Sequence, residues 1–215
     1  MPTLQFPHPD TASEEGLLAI GGNLMPETLL QAYRQGIFPW YNAGDPICWW
    51  SPDPRCVLFP ENLVIHHSMR QLLRKKRFQF TINQAFEQVI RNCGSVARKG
   101  QSGTWITKEM MTAYTNLHQL GWAHSAEVWD KGKLVGGLYG IRIGKVFFGE
   151  SMFSLLPNAS KYAFIQYVEQ LRHEGIMLID CQQHTAHLES LGATCLQRSE
   201  FLELLEKLVA GVGET

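Results

Sequence analysis

The sequence predicts a mixed α/β (α+β) chain, with a small N-terminal lobe over residues 1–58 and a larger sheet-containing domain over residues 59–215. Three observations lead there. First, Gly149-Glu150-Ser151-Met152-Phe153-Ser154 and Ile179-Asp180-Cys181-Gln182 each read as the exit of a buried strand, with an acid where an apolar run stops. A long amphipathic segment lies between them, so a crossover helix would bring the two strands side by side as a parallel pair opening on one sheet edge. Second, from Ala123 onward the chain reads as short strands separated by turns. Third, residues up to about Phe59 are rich in Pro, Gly and aromatics, the composition of a lobe built from turns and extended backbone.

In chain order, Leu17–Gly22 reads as a short strand ending in a glycine turn, and Pro26–Gln35 as a helix with Pro in its first turn and Gly36 past its end. Prolines hold Ile37–Tyr41 and Trp49–Arg55 to extended or turn backbone. Trp40, Trp49 and Trp50 are placed at the interface between lobes, with Tyr33 and Trp40 near a site entrance. Ser68–Lys76 is a helix with Met69, Leu72 and Leu73 as its apolar stripe; Arg70, Arg74 and Arg77 follow at helical spacing on another side. A second helix runs over Ile82–Asn92, stopped by Gly94, and residues 94–104 read as a mobile loop. Thr107 is placed to cap a helix over Lys108–Leu120, ended by Gly121. His124–Trp129, Lys133–Ile141 and Lys145–Met152 form an antiparallel meander. Asn158 is placed as the cap of a helix that Gly175 stops, Met177–Cys181 is a buried strand, and His184–Leu191 and Ser199–Leu208 are helical.

The bulk numbers bound the function. With 215 residues, 45% hydrophobic and 18% charged, the chain can bury an ordinary core. No apolar run approaches the ~20 residues of a membrane span, and Met1–Gln5 lacks the start of a signal peptide. Five cysteines (Cys48, Cys56, Cys93, Cys181, Cys195) without a Cys-x-x-Cys pair favour reduced thiols and a cytoplasmic setting. The net charge of −1 hides an asymmetry: eight bases against one acid, Glu87, between Arg70 and Lys99, and seven acids against two bases in the first 65 residues. Such a block suits a polyanionic partner. His184 and His187 have metal-compatible spacing, but no third ligand stands at metal spacing, so no metal is expected; no cofactor is expected either.

Helices, three antiparallel strands, a helix and a parallel strand resemble the fold of the GCN5-related N-acetyltransferases. In that fold a glycine-rich loop after the central strand binds coenzyme A pyrophosphate. Here the corresponding segment, Ser154-Leu155-Leu156-Pro157-Asn158-Ala159-Ser160-Lys161, has no glycine, which argues against coenzyme A. A closer match follows. Leu17–Gly22, Gly36–Trp40, Trp49–Arg55, Gly103–Ile106, Gly149–Ser154, Asn158–Lys161 and Ile179–Gln182 resemble, in order, the motifs of the bacterial leucyl/phenylalanyl-tRNA–protein transferases. The resemblance implies transfer of Leu or Phe, and less well Met, from aminoacyl-tRNA to proteins beginning with Arg or Lys. That would mark them for N-degron (N-end rule) degradation. A monomer without a membrane partner is expected.

The same resemblance implies the roles of individual residues. Asp180 and Gln182 match the family's active-site pair. A period of two would put them on one strand face, with Gln182 accepting a hydrogen bond from the attacking amine and Asp180 orienting the amide. The alternative is that both cap the next helix. Glu150 would bind the cation of the acceptor's first residue, or else form a salt bridge with Lys161 or Arg142. Leu138, Phe147, Met152 and Tyr167 fall where the family builds its side-chain pocket; ordinary core is the alternative. Trp105 would stack on the terminal adenine, and Arg70, Arg74, Lys75, Lys76, Arg77, Arg98 and Lys99, with Arg91, would follow the tRNA backbone. Cys181 is expected to face the core, away from the site. Where the family often has Asn, three residues after the Gln, this chain has Thr185. Competing functions are a coenzyme-A-dependent acetyltransferase, a peptidoglycan-type aminoacyl transferase and a non-catalytic tRNA-binding module.

Overall fold

The computed structural model describes residues 5–95 and 106–210. Its elements are β1 (Leu17–Ile20), α1 (Pro26–Arg34), β2 (Phe38–Pro39), β3 (Cys48–Trp50), β4 (Arg55–Leu58), α2 (His67–Arg74), β5 (Gln79–Ile82), α3 (Phe86–Ser95), α4 (Lys108–Gln119), β6 (Ala123–Asp130), β7 (Lys133–Ile143), β8 (Val146–Ser154), α5 (Ala159–His173), β9 (Leu178–Gln182), α6 (Ala186–Glu189), β10 (Thr194–Leu196) and α7 (Arg198–Val209). The mixed α/β expectation holds, with a small N-terminal sheet ordered β1-β3-β2 and a large sheet ordered β10-β4-β9-β8-β7-β6-β5. In the large sheet β8 and β9 are parallel and the other neighbours antiparallel.

Alternation along the strands builds a core on each sheet face. Tyr139, Ile141, Val146, Phe148 and Leu178 face one cluster, shared with α1, α3, α4 and α7; Leu138, Phe147 and Ile179 face the other, under α5. Along β8 the parity changes. Even-numbered Val146 and Phe148 share a cluster with odd-numbered Phe153. The register accounts for it: Gly140 opposes Gly149 and Tyr139 opposes Ser151, which leaves Glu150 as one extra residue. That is a β-bulge, which re-aims a side chain where pairing is interrupted. Glycines let the ladder kink here: a Cβ on Gly140 would lie 2.1 Å from the Phe148 carbonyl oxygen. Likewise Gly136 lets α5 approach β7, since its Cβ would meet Ala159 at 2.7 Å.

Several local expectations shift for identifiable reasons. Residues 79–82 pair with β6, so the helix expected from Ile82 begins at Phe86. Its first turn is approached by the buried Glu127 carboxylate, which accepts from the Gln84 and Ala85 N–H groups at 3.4 Å. Thr107 does cap α4, accepting from the Met110 N–H at 3.2 Å. Asn158 does not cap α5: it takes a left-handed φ of 68° and makes no capping bond. Ser154 Oγ accepts from the Ser160 N–H instead, at 3.2 Å. The helix expected over His184–Leu191 shortens to α6, capped by Thr185 through the Leu188 N–H at 3.2 Å. β4 and β10 are strands of the large sheet that periodicity did not single out.

Candidate active site

The parallel pairing of β8 and β9 is short. It runs from Val146↔Leu178 to Phe148↔Asp180 and stops there. Beyond that point a cavity of about 410 Å³ opens between β7, β8, β9, α5, α6 and the Phe38-Pro39-Trp40 segment, a size suited to a small-molecule group. Its wall is mostly apolar, with Leu138, Phe147, Met152, Phe164, Ile179 and Leu188 among the lining residues. Its polar lining includes Glu150, Ser151, Gln182, Gln183, Thr185 and His187.

Glu150 sits in a dense set of hydrogen bonds. Tyr33 Oη donates to Oε1 at 2.7 Å, Tyr114 Oη reaches Oε2 at 3.1 Å, and Gln182 Nε2 donates to Oε1 at 2.9 Å. The Tyr33 and Tyr114 hydroxyls also bond each other. Burial holds the Glu150 carboxyl up, to about 7, against the lowering effect of these donors. Burial also pushes both phenols well up, so they keep their protons.

Asp180 is fully buried and does not line the cavity. Arg55 holds it in a two-pronged pair, Nε to Oδ1 at 2.9 Å and Nη2 to Oδ2 at 2.7 Å. The guanidinium lies between the Phe38 and Phe201 rings, 4.9 and 4.7 Å from their centroids, and Nη1 donates to the Gly36 carbonyl at 3.0 Å. Asp180 Oδ1 also accepts from the Gln182 backbone N–H at 2.9 Å. Asp180 therefore pins the Gln182 main chain, which adopts a left-handed φ of 63°, and Glu150 rather than Asp180 orients the Gln182 amide.

Asp180 and Gln182 do not reach the cavity together, since Asp180 turns to Arg55 and only Gln182 lines it, and β9 carries a bulge between them. Cys56 opposes Gln182 and Val57 opposes Asp180, so Cys181 is the extra residue. Cys181 packs on the core cluster under α5 as expected, but with Ile179 it also lines the cavity, so it does not face away from the site. The salt-bridge alternative for Glu150 also fails: Arg142 bonds Glu174. Of the four expected pocket residues, Leu138, Phe147 and Met152 line the cavity. Tyr167 stands behind them, its ring edge-on to Phe147 at 5.1 Å. Trp40 lines the cavity as expected, whereas Tyr33 is fully buried beneath it.

Among the bases, Arg70, Arg74, Lys75, Lys76, Arg77 and Arg91 are exposed. α2 ends at Arg74 and Lys76 takes a φ of 45°, so Arg77 leaves the helical row. It pairs instead with Asp130 on β6, at 2.8 and 3.0 Å. Arg70 Nε is turned back to the Ile65 carbonyl at 2.9 Å. Trp105, Arg98 and Lys99, with most of the loop expected over 94–104, lie outside the described residues. His184 bonds Glu189 at 3.1 Å.

Sequence reasoning missed Tyr114, Arg55, Phe38 and Phe164. Two left a signal. Tyr114 puts a hydroxyl on the apolar stripe Met110, Ala113 and Leu117, and Arg55 puts a charge at the head of Cys56-Val57-Leu58. A buried hydroxyl or charge needs a partner, which is the query those positions raise.

The sequence is similar to known proteins over most of its length. A family model described as leucyl/phenylalanyl-tRNA protein transferase matches residues 57–206, and the model of that family's N-terminal domain matches residues 22–53. The chain is similar to the leucyl/phenylalanyl-tRNA–protein transferases of Christiangramia forsetii and Flavobacterium johnsoniae. Identity to the first is 57% over 206 residues, covering 95% of this chain and 97% of the relative. Identity to the second is 55% over 203 residues, covering 94% and 96%. Among solved structures, a GCN5-related N-acetyltransferase from Kribbella flavida gives a TM-score of 0.39 at 9% identity, covering 79% of this chain and 60% of that one. Matched over nearly its whole length by both models and by these relatives, the chain belongs to the leucyl/phenylalanyl-tRNA protein transferase family.

Proposed function

We propose that this chain moves Leu or Phe, and less well Met, from aminoacyl-tRNA to the α-amine of proteins beginning with Arg or Lys, and so marks them for N-degron degradation. Membership of the family makes the enzyme an aminoacyltransferase that takes its aminoacyl group from tRNA and gives it to a protein. The observation that carries the finer reading is the 410 Å³ cavity, whose mostly apolar wall also contains Glu150 and Gln182. An apolar wall with a flexible Met152 accepts Leu, Phe and Met together, because such pockets discriminate by only ~1–3 kcal/mol per methylene.

The reaction is aminolysis of an ester. The neutral α-amine, with an unperturbed pKa of ~8, attacks the aminoacyl carbonyl, and the 3′-terminal ribose oxygen leaves. Gln182, its amide nitrogen committed to Glu150, presents Oε1 to the amine N–H and sets its direction. Arg55 and Asp180 hold Gln182 in place. Positioning supplies much of the rate, since no covalent enzyme intermediate is required. The acceptor's cationic side chain approaches Glu150 and lowers its pKa, so the carboxyl releases its proton to water and pairs with the cation as a carboxylate. The N-terminal lobe, expected over 1–58, gives β4 to the large sheet and walls the cavity through Phe38, Pro39 and Trp40, while the domain expected over 59–215 carries the reaction.

Arg74, Lys75, Lys76 and Arg91 support the tRNA backbone, with Arg70 and Arg77 at the margin of that surface; Trp105, Arg98 and Lys99 are assigned to the same partner from their motif. The protein works as a monomer in the cytoplasm. Among the described residues no helix is long and apolar enough to cross a membrane. The test is incubation with radiolabelled Leu-tRNA and peptides starting with Lys, Arg or Ala. Label moves to the first two; transfer to the Ala peptide at an equal rate removes the acceptor assignment.

A further inference from the structure

Three of the five cysteines meet at one edge of the large sheet. Cys195 on β10 lies directly opposite Cys56 on β4. Cys56 in turn opposes Gln182, beside the bulged Cys181. Opposed residues of an antiparallel pair hold their Cα atoms ~4.5–5.5 Å apart, within the ~4.4–6.8 Å that a disulfide spans. The sulfurs form a file from solvent to substrate site: Cys195 is exposed, Cys56 is buried, and Cys181 stands in the cavity wall. Hydrogen bonds from the Cys181 and Cys195 thiols hold the Cys56 thiol below its ordinary range, while burial and the neighbouring Cys56 push the Cys195 thiol up, so the middle sulfur is the base and Cys195 the thiol that meets solvent. Nothing in the transfer reaction uses these thiols.

We propose that Cys195 and Cys56 are a reversible thiol-oxidation site, entered from solvent by a peroxide, whose closure restrains the catalytic end of β9. The Cys195 sulfur attacks a peroxide oxygen as its proton passes to the Cys56 thiolate beside it; the O–O bond breaks, the hydroxide that leaves takes that proton from Cys56 to become water, and Cys195 becomes a sulfenic acid. The Cys56 thiolate then attacks that sulfur, the S–O bond breaks, and the departing oxygen leaves as water. Two thiols give up two electrons, and hydrogen peroxide is reduced to two waters. A low-molecular-weight thiol reverses the bond by exchange. The disulfide ties β4 to β10 at the residue that opposes Gln182 and adjoins Arg55. It also withdraws the Cys56 sulfur from Cys181. Both effects disturb the support of Gln182, so the oxidised enzyme is slow.

The test treats the folded full chain with limiting hydrogen peroxide, quenches by alkylation and reads masses. The proposal expects loss of two hydrogen atoms and a crosslinked peptide pair joining Cys56 to Cys195, with Cys48 and Cys93 alkylated. Transfer activity falls severalfold and returns with dithiothreitol. Cys195→Ser keeps its basal activity and resists the same peroxide dose. Oxidation of Cys195 to sulfinic acid without a crosslink overturns the proposal, as does a Cys195→Ser protein that loses activity as fast as the wild type. The crosslink is read without any transfer assay, so its failure is separable from failure of the proposed reaction.

Discussion

Gln182 Nε2 lies 2.9 Å from Glu150 Oε1, although the strands that carry these residues stop pairing at Phe148 and Asp180. The link across the gap is made by side chains. Each residue stands at a β-bulge, Glu150 as the extra residue of β8 and Gln182 just after the extra residue of β9. Two interrupted ladders thus aim an acid and an amide at each other across an opening large enough for an amino-acid side chain.

Glu150 should leave a mark on the pH dependence of stability. Its folded pKa is raised from 4.5 to about 7, so the native state binds the proton more tightly than the unfolded chain. The resulting stability is fully present below about pH 4.5 and is lost as pH rises through about 7, a swing of up to about 3 kcal/mol. Urea unfolding across that range should show the decline, and Glu150→Gln should flatten it. An unchanged slope in the variant would remove the assignment.

The same carboxyl should govern acceptor binding. A Lys- or Arg-starting peptide pairs with the ionised form, so its KM should rise as pH falls below about 7. The KM for aminoacyl-tRNA should not follow. In Glu150→Gln the acceptor KM should be high and no longer depend on pH in this range. Steady-state kinetics with each substrate varied in turn decides it.

Breaking the Arg55–Asp180 pair should be costly. Arg55→Ala leaves a fully buried carboxylate without its cation, a loss of ~3–5 kcal/mol, readable by chemical denaturation. Arg55→Lys keeps the charge but cannot reproduce two parallel bonds to Asp180 and a third to Gly36. It should fold and show a lowered kcat with little change in either KM, because Arg55 acts through the placement of Gln182.

Met152→Ala should thin the apolar wall. The loss should be ~1–3 kcal/mol in transition-state binding for Leu, or roughly ten- to hundredfold in kcat/KM, and smaller for the larger Phe. Competition between Leu-tRNA and Phe-tRNA measures the ratio directly. Equal losses for both would place Met152 outside the side-chain pocket.

Arg74→Ala combined with Lys75→Ala should weaken all aminoacyl-tRNAs alike and reduce the slope of log affinity against log salt by about 1 for each phosphate left unneutralised. Arg77→Ala should do less, because Asp130 already holds that guanidinium. A change confined to the choice between Leu and Phe would contradict the phosphate role.

The sequence by itself determined which segments become strands and helices wherever a signal is local. Pro26 opens α1, Thr107 caps α4, and the alternation from Ala123 onward draws the meander. It also placed Glu150 and Gln182 at neighbouring strand exits, because a crossover helix leaves a parallel pair few alternatives. What only the tertiary structure decided depends on residues far apart in the chain. Whether a strand keeps its period of two is settled by its neighbours' registers, so the bulges at Glu150 and Cys181, and with them the turning of Asp180 to Arg55, could not be read from β8 and β9 alone. Tyr33, Tyr114 and Arg55 reach Glu150 and Asp180 from separations of 117, 36 and 125 residues. A buried carboxylate shows that partners must exist, but only the packed fold shows which ones supply the protons.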